Sequence, residues 1–213
     1  IGAVCGGLSA CVNVFLKVPA MITTLATGYL FYTVILVVSS KWSSIPAKGF
    51  VNFVNKNVFG INMMTIICIA VAVLLWFLYR TKYGKNLHAV GQKREAARLA
   101  GINVRKTVII AFVINGALCG LAGAMAGAYC GGANQDLGTT YFLPSVAAAF
   151  VGGTNAAGGK SSVVGVSIGA LMMTLMSTFL NAAKLDVGVQ RLIQGVFLVF
   201  LLVVAVSDAA KKK

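Results

Sequence analysis

Long apolar runs, separated by short polar intervals, make up most of the chain. Residues 61–79 and 107–129 are almost uninterrupted apolar stretches, and a helix of roughly 20 residues crosses a hydrocarbon core about 30 Å thick. The pattern predicts an all-α, polytopic transmembrane helical bundle with about seven spans. Five further apolar runs occupy residues 1–16, 20–40, 141–151, 163–183 and 192–206.

The run at residues 141–151 is short for a membrane crossing. It crosses only if Gly152, Gly153 and Thr154 extend it, or if neighbouring protein shields its ends. Parity favours a crossing, because the basic segment at residues 80–106 and the lysine tail at 211–213 are both expected in the cytoplasm. An even number of spans must then separate the two.

Charged residues are few, and most of them are basic. The 213 residues are 59% hydrophobic and 10% charged, whereas about a quarter of the residues in a soluble domain are charged. The net charge of +14 would suggest nucleic-acid binding in a soluble protein, but no basic stretch carries interleaved stacking aromatics. The positive-inside rule accounts for the charge instead, with 13 basic residues inside, five outside and a cytoplasmic C-terminus.

Residues for catalysis or metal binding are few. Five cysteines without a C-x-x-C pair, and a single histidine, predict ordinary buried thiols rather than a disulfide framework or a metal site. There is no G-x-S-x-G motif and there are no paired carboxylates, so no catalytic residue is assigned. The four acidic residues lie at helix ends or in a loop, which argues against an ion-driven pump.

The segment from Gly153 to Ser161 imitates a phosphate-binding P-loop. The first glycine of a true P-loop falls where Thr154 stands here, so the spacing is off by one. We therefore expect no ATP hydrolysis by this chain and no cofactor bound to it.

Small residues form stripes on two predicted helices. Such stripes let two backbones approach closely, either within one subunit or at a dimer face. The first stripe has an i, i+4, i+7, i+11 spacing and the second an i, i+4 spacing: Gly116, Gly120, Gly123 and Gly127, and then Gly165 and Gly169.

Uncharged polar residues also occur inside the apolar runs. Asn115, Thr23 and Thr24 offer hydrogen-bond donors and acceptors that suit a path for a hydroxyl-rich solute. Each could equally bond a neighbouring helix or its own backbone.

The basic segment at residues 80–106 contains a short helix former, residues 95–100, which Gly101 should end. Ala96 and Ala97 keep its surface small, and Arg98 adds positive charge. Such an element suits docking into a groove of another protein, although a solvated positive-inside loop fits the same residues.

Two motifs carry a family resemblance. Residues 89–92 (AVGQ) and 95–102 (EAARLAGI) resemble the cytoplasmic coupling-helix motif of bacterial ABC importer permeases, in its ribose and monosaccharide version. Residues 151–170 resemble the Gly-Gly-Thr, Gly-Gly, Gly-Ala signature of the same branched-chain amino acid and sugar permease superfamily. The likeness covers residues 1–213 as a single permease domain, with residues 80–106 as the cytoplasmic loop that holds the coupling helix. The family fold has about ten helices, so an N-terminally truncated domain that starts inside an apolar stretch is expected.

The resemblance implies a non-hydrolysing permease subunit that imports a ribose-like monosaccharide across the bacterial plasma membrane. Its implied partners are ABC ATPase subunits that bind ATP and Mg²⁺, a second permease subunit, a periplasmic or lipid-anchored sugar-binding protein and membrane lipids, with no nucleic acid. A branched-chain amino acid or nucleoside permease is the near alternative, and a self-sufficient carrier or channel is the remote one. The residues implied to couple to the ATPase are Glu95, Ala96, Ala97, Arg98 and Gly101.

Overall fold

A computed structural model describes residues 1–16, 20–39, 48–54, 56–58, 61–132, 137–154, 158 and 161–211. These residues are helical almost throughout, apart from two short strands, β1 and β2, that pair antiparallel. The predicted all-α class is confirmed. The elements in chain order are α1 (Gly2–Leu16), α2 (Ala20–Ser39), α3 (Lys48–Val54), β1 (Asn57–Val58), β2 (Ile61–Asn62), α4 (Met63–Arg80), α5 (Lys82–Gln92), α6 (Arg94–Leu99), α7 (Val104–Tyr129), α8 (Leu137–Val151), α9 (Val163–Ala182) and α10 (Val187–Lys211).

Seven of these helices are apolar and coincide with the seven apolar runs. By length and composition, α4, α7 and α9 can cross a membrane, and four shorter apolar segments accompany them, at Gly2–Leu16, Ile22–Val38, Leu137–Val151 and Gly188–Phe200. Most large apolar side chains on these helices are exposed, as expected where lipid covers them. The polytopic helical bundle is thereby confirmed.

The described chain divides into two compact units, residues 1–71 with 95–138 and residues 72–94 with 139–213. In the first unit α1 packs along α7. A Cβ on Gly116 would meet the carbonyl of Gly2 and lie 2.8 Å from the Cα of Gly6, and one on Gly120 would lie 3.1 Å from the Cα of Gly2. Later residues of α1 contact earlier residues of α7, so the two helices are antiparallel.

In the second unit α8 and α9 approach through glycines. A Cβ on Gly165 would meet the carbonyl of Gly152, and one on Gly169 would meet the carbonyl of Ala148. Beside this contact lies a small apolar cluster of Ala147, Ala148 and Met173, packed against Met176, Phe197 and Leu198. Gly123 and Gly127, by contrast, have no neighbour within 4 Å of an added Cβ, so only part of the predicted stripe is a close contact.

The helix that contains the short run at residues 141–151 is longer than the run at its N-terminal end. Of the two alternatives for this run, extension through Gly152, Gly153 and Thr154 does not occur, because α8 begins at Leu137 and ends at Val151. Gly153 lies in the left-handed region at φ +77°, and the Thr154 N–H bonds the Ala149 carbonyl at 3.1 Å, which caps the helix. Gly152 instead packs on the backbone of Val166, which is the predicted shielding by neighbouring protein.

Two contacts show which polar segments share a side. The hydroxyls of Tyr79 and Ser161 are hydrogen-bonded at 2.9 Å, and a Cβ on Gly158 would lie 2.8 Å from the Gly91 carbonyl. Within the second unit, the end of α4 and the end of α5 therefore lie next to Ser161 and Gly158. That α8 crosses the membrane stays a prediction from parity, since α8 is an apolar helix shorter than the three that are long enough to cross.

All five cysteines are free thiols, but the expectation that they are buried is wrong for four of them. Cys11, Cys68, Cys119 and Cys130 are exposed, and Cys5 is half-buried. The physical reason is that apolar residues of a membrane helix need only lipid around them, not a protein core. Parts of the segments named in the sequence analysis lie outside the described residues, namely 40, 155–157, 159–160 and 212–213.

Candidate functional site

The basic segment contains a helix that sequence analysis missed. Thr81 turns the chain sharply after α4, its hydroxyl donating to the Leu78 carbonyl at 2.6 Å, and α5 follows at once. Gly84 and Val90 are buried on one side of α5, while Lys82 and Lys85 are exposed. The signal was the apolar spacing of Tyr83, Leu87 and Val90, which Gly84 and Gly91 obscured because glycine has low helix propensity.

A single residue, Lys93, separates α5 from α6. Helix α6 ends as predicted at Gly101, which adopts φ +78°. Its N–H bonds the Arg98 carbonyl at 3.1 Å, and the Ile102 N–H bonds the Ala97 carbonyl at 3.1 Å. This is the Schellman pattern, and a left-handed residue at that position favours glycine.

The predicted coupling residues do not share one environment. Ala97 is only 3% exposed and packs inward, whereas Glu95, Ala96 and Arg98 are exposed. Leu99 is 90% exposed, although it lies on a polar segment between two membrane helices. Sequence analysis did not assign it a role, but a large apolar side chain at the end of a charged helix is the available signal. The outer face of α6 is thus Glu95, Ala96, Arg98 and Leu99.

Basic residues lie before, within and after α6 in the sequence. The guanidinium of Arg80 lies 4.2 Å from the centroid of the Trp76 ring, a cation–π contact at the end of α4. The segment has one acid, Glu95, and eight basic residues, all exposed: Arg80, Lys82, Lys85, Lys93, Arg94, Arg98, Arg105 and Lys106.

Tyr79, in the last turn of α4, belongs to the second unit and contacts three other residues of it. Its ring meets the His88 ring edge to face, with centroids 5.3 Å apart, and its hydroxyl bonds Ser161. Gly84 lies against its backbone, where an added Cβ would meet the Tyr79 carbonyl. Burial, and to a smaller extent the neighbouring Tyr79, raise the pKa of Tyr83 above its usual 10.0.

The glycine-rich segment after α8 leads into a capped helix. Gly158 adopts φ +91° against Gly91, and the Ser162 hydroxyl accepts a hydrogen bond from the Gly165 N–H at 3.3 Å, which caps α9. The hydroxyl of Thr154 is buried without a hydrogen-bond partner among the described residues.

The residues predicted to line a solute path are in different settings. Thr23 is 3% exposed and belongs to a polar seam between α1 and α2, where the Asn13 amide donates to its hydroxyl at 3.5 Å. The Ser9 hydroxyl likewise donates to Thr27 at 3.0 Å. Thr24 is exposed and bonds the carbonyl of Ala20, and Asn115 is exposed on α7 beside Gly116. Thr23 therefore holds two helices together, whereas Asn115 remains available to a solute or a partner.

Among the described residues, no three histidine, cysteine, aspartate or glutamate side chains are grouped closely enough to hold a metal ion. The arrangement leaves one face of α6 exposed and holds α5 against Tyr79 and Gly158.

Comparison with known proteins gives a consistent result. The family model described as branched-chain amino acid transport system / permease component matches residues 1–205. The D-allose transport system permease protein of Escherichia coli is 32% identical over 197 residues, which cover 92% of this chain and 60% of that protein. Autoinducer 2 import system permease proteins are 26% identical in Photorhabdus luminescens and 28% identical in Escherichia coli, over 95% of this chain.

The chain spans 60% to 64% of the length of these curated relatives. No solved structure matches it significantly.

Proposed function

Since the chain belongs to the family of branched-chain amino acid transport system permease components, we propose that it is the membrane-spanning subunit of an ATP-driven importer for a ribose-like monosaccharide. Two of the relatives described above are named as permeases for D-allose and autoinducer 2, which supports a small polyhydroxylated solute over an amino acid. The proposed setting is the bacterial plasma membrane, with the α6 side and the C-terminus in the cytoplasm.

The observation that carries the proposal is the outer face of α6. Leu99 and Ala96 offer an apolar contact beside the charges of Glu95 and Arg98, on a helix that Gly101 caps. A large apolar side chain bordered by charged residues suits the centre of a protein contact, where it can be buried by a partner. We assign this face to an ATPase subunit that binds ATP and Mg²⁺ itself.

Transport would follow from displacement of α6. When the ATPase subunits close, a docked helix moves as a rigid body and shifts the membrane helices to which it is joined. A second permease subunit would complete the path, and a periplasmic or lipid-anchored binding protein would deliver the sugar from outside. In this scheme the chain itself carries out no chemistry.

Reconstitution tests the function directly. Proteoliposomes that contain the complete permease assembly, its ATPase and its binding protein should accumulate D-ribose or D-allose only with hydrolysable ATP. The control is the same assembly with a non-hydrolysable nucleotide. Uptake that proceeds without ATP would show a self-sufficient carrier or channel and overturn the proposal.

The substrate class is tested in the same vesicles. An excess of D-ribose or D-allose should reduce labelled sugar uptake, while leucine and uridine should not. Transport of leucine or uridine in place of sugar would move the assignment to the amino acid or nucleoside alternatives.

The docking surface has a matched pair of neighbouring alanines. Ala96→Cys on the outer face should form a nucleotide-sensitive crosslink to the ATPase, whereas Ala97→Cys, which faces inward, should not. Equal crosslinking at both positions, or none at Ala96, would count against docking through this face.

A further inference from the structure

Helix α5 leads into α6, and its attachment decides what a displaced α6 can move. The Lys93 N–H bonds the Ala89 carbonyl at 3.2 Å and so caps α5, and Lys93 itself has an extended backbone. A single residue thus joins α6 to the last turn of α5. Within the second unit, that turn is held from outside α5 by the glycine-rich segment.

At this turn two backbones touch directly. A Cβ on Gly158 would lie 2.8 Å from the Gly91 carbonyl, and φ +91° already disfavours any side chain at Gly158. Gly91 stands only three residues before Arg94, where α6 begins. Gly158 thus lies against the part of α5 that is nearest to α6 in the chain.

Tyr79 makes a second attachment to the same segment. Its hydroxyl bonds Ser161, which comes just before Ser162, the cap of α9, while its ring rests on His88 in the middle of α5. One side chain therefore connects the end of α4, the body of α5 and the start of α9. Because the hydrogen bond joins residues 82 positions apart, it is a tertiary contact and not a local turn.

We propose that Tyr79, Gly91, Gly158 and Ser161 form a clasp that transmits displacement of the coupling helix α6, through α5, to α4 and α9. They act as positioning residues for transport and do not touch the solute. The inference rests on the proposed function, because only an ATPase docked on α6 gives the clasp a motion to transmit. Loss of the clasp should leave the ATPase bound and active while less solute moves per ATP.

The hydroxyl pair is tested by a double-mutant cycle in the complete reconstituted importer. Tyr79→Phe, which keeps the ring on His88, and Ser161→Ala should each lower the solute moved per ATP by about 2- to 10-fold, the range expected for one net hydrogen bond. The double variant should lose no more than either single variant, because both remove the same bond. Ser161→Thr retains a hydroxyl and should restore the ratio. The control is Ser167→Ala, which should leave the ratio unchanged, because among the described residues its hydroxyl bonds the Val163 carbonyl of its own helix.

The backbone contact has its own matched pair. Gly153 and Gly158 both adopt positive φ in the same segment, but an added Cβ on Gly153 has no neighbour within 4 Å. Gly158→Ala and Gly153→Ala therefore share the backbone strain and differ in the contact with Gly91. We expect a lower transport-to-ATP ratio for Gly158→Ala than for Gly153→Ala, with equal amounts of assembled complex.

Two results would overturn the clasp while the proposed function stands. One is an unchanged transport-to-ATP ratio in Tyr79→Phe and Ser161→Ala when the unaltered importer is ATP-driven. The other is equal ratios in Gly158→Ala and Gly153→Ala. Failure of the unaltered assembly to use ATP at all would reject the proposed function instead, so the two failures are distinct.

Discussion

At the scale of single residues, the positions without side chains decide where backbones meet. Gly116 lies where α1 crosses α7, and its backbone neighbours leave no room for a methyl group. Gly123 lies two helical turns along the same helix with open space around it. The same residue type therefore permits a close backbone contact at Gly116 and makes no such contact at Gly123.

Gly116→Ala should destabilise the permease by about 1–3 kcal/mol, because the added methyl forces α1 and α7 apart. Gly123→Ala should be neutral or stabilising by up to about 1 kcal/mol, since alanine is the better helix former. Thermal unfolding in matched detergent measures both. Equal effects of the two substitutions would contradict the close contact at Gly116.

Tyr83 gives a residue-scale prediction that depends on pH. Burial raises its pKa, so the folded chain keeps this proton after an unfolded tyrosine has lost its own at about 10. The associated stability is complete below that pH and falls as the pH rises above it. Tyrosinate absorbance should show one late-ionising group that Tyr83→Phe removes, and denaturation should return it to the ordinary range. A late group that persists in Tyr83→Phe would assign it elsewhere.

At the scale of elements, α6 depends on how it ends. Gly101 in the left-handed conformation lets the Ile102 N–H reach the Ala97 carbonyl, which turns the chain toward α7 and leaves Leu99 outside. Its position was predictable, because glycine just past a helix former is a frequent end signal. The exposure of Leu99 was not, since it depends on what surrounds the helix.

Gly101→Val should cost about 1–2 kcal/mol through the left-handed conformation and weaken ATPase binding about 5- to 30-fold. Gly101→Asn is the control, because asparagine tolerates that conformation and should bind nearly normally. Affinity of the purified ATPase for each variant assembly provides the measurement. Equal loss in both variants would mean that the glycine is needed for space and not for its conformation.

At the scale of the whole molecule, the order of the crossings stays a prediction, and contacts within each unit show only which helix ends lie together. Because α1 and α7 are antiparallel, the end of α1 lies on the side where α7 begins. The Tyr79–Ser161 bond places Ser161, just before α9, on the same side as the end of α4. Which of these sides is the cytoplasm remains a prediction from the basic residues.

Labelling single cysteines in a cysteine-free background tests that orientation. A membrane-impermeant maleimide should label Asp186→Cys in intact cells and Lys85→Cys only in inverted vesicles, because three crossings separate the two exposed positions. The reverse pattern would invert the topology while leaving every helix in place.

The sequence by itself determined the membrane class, the seven apolar helices and the end of α6. These depend on hydrophobic run length and on local glycine chemistry, which are properties of neighbouring residues. The family motifs and the comparisons then agreed on the family of permease components to which the chain belongs.

Only the tertiary structure decided the rest. It showed that Gly116 and Gly120 are close contacts whereas Gly123 and Gly127 are not. It also placed Thr23 between two helices, buried Ala97 and joined Tyr79 to Ser161. The physical reason is that close packing and hydrogen bonding depend on which distant segment lies opposite a residue, and the hydrophobic pattern of a membrane helix carries little of that information because lipid and protein neighbours are equally apolar.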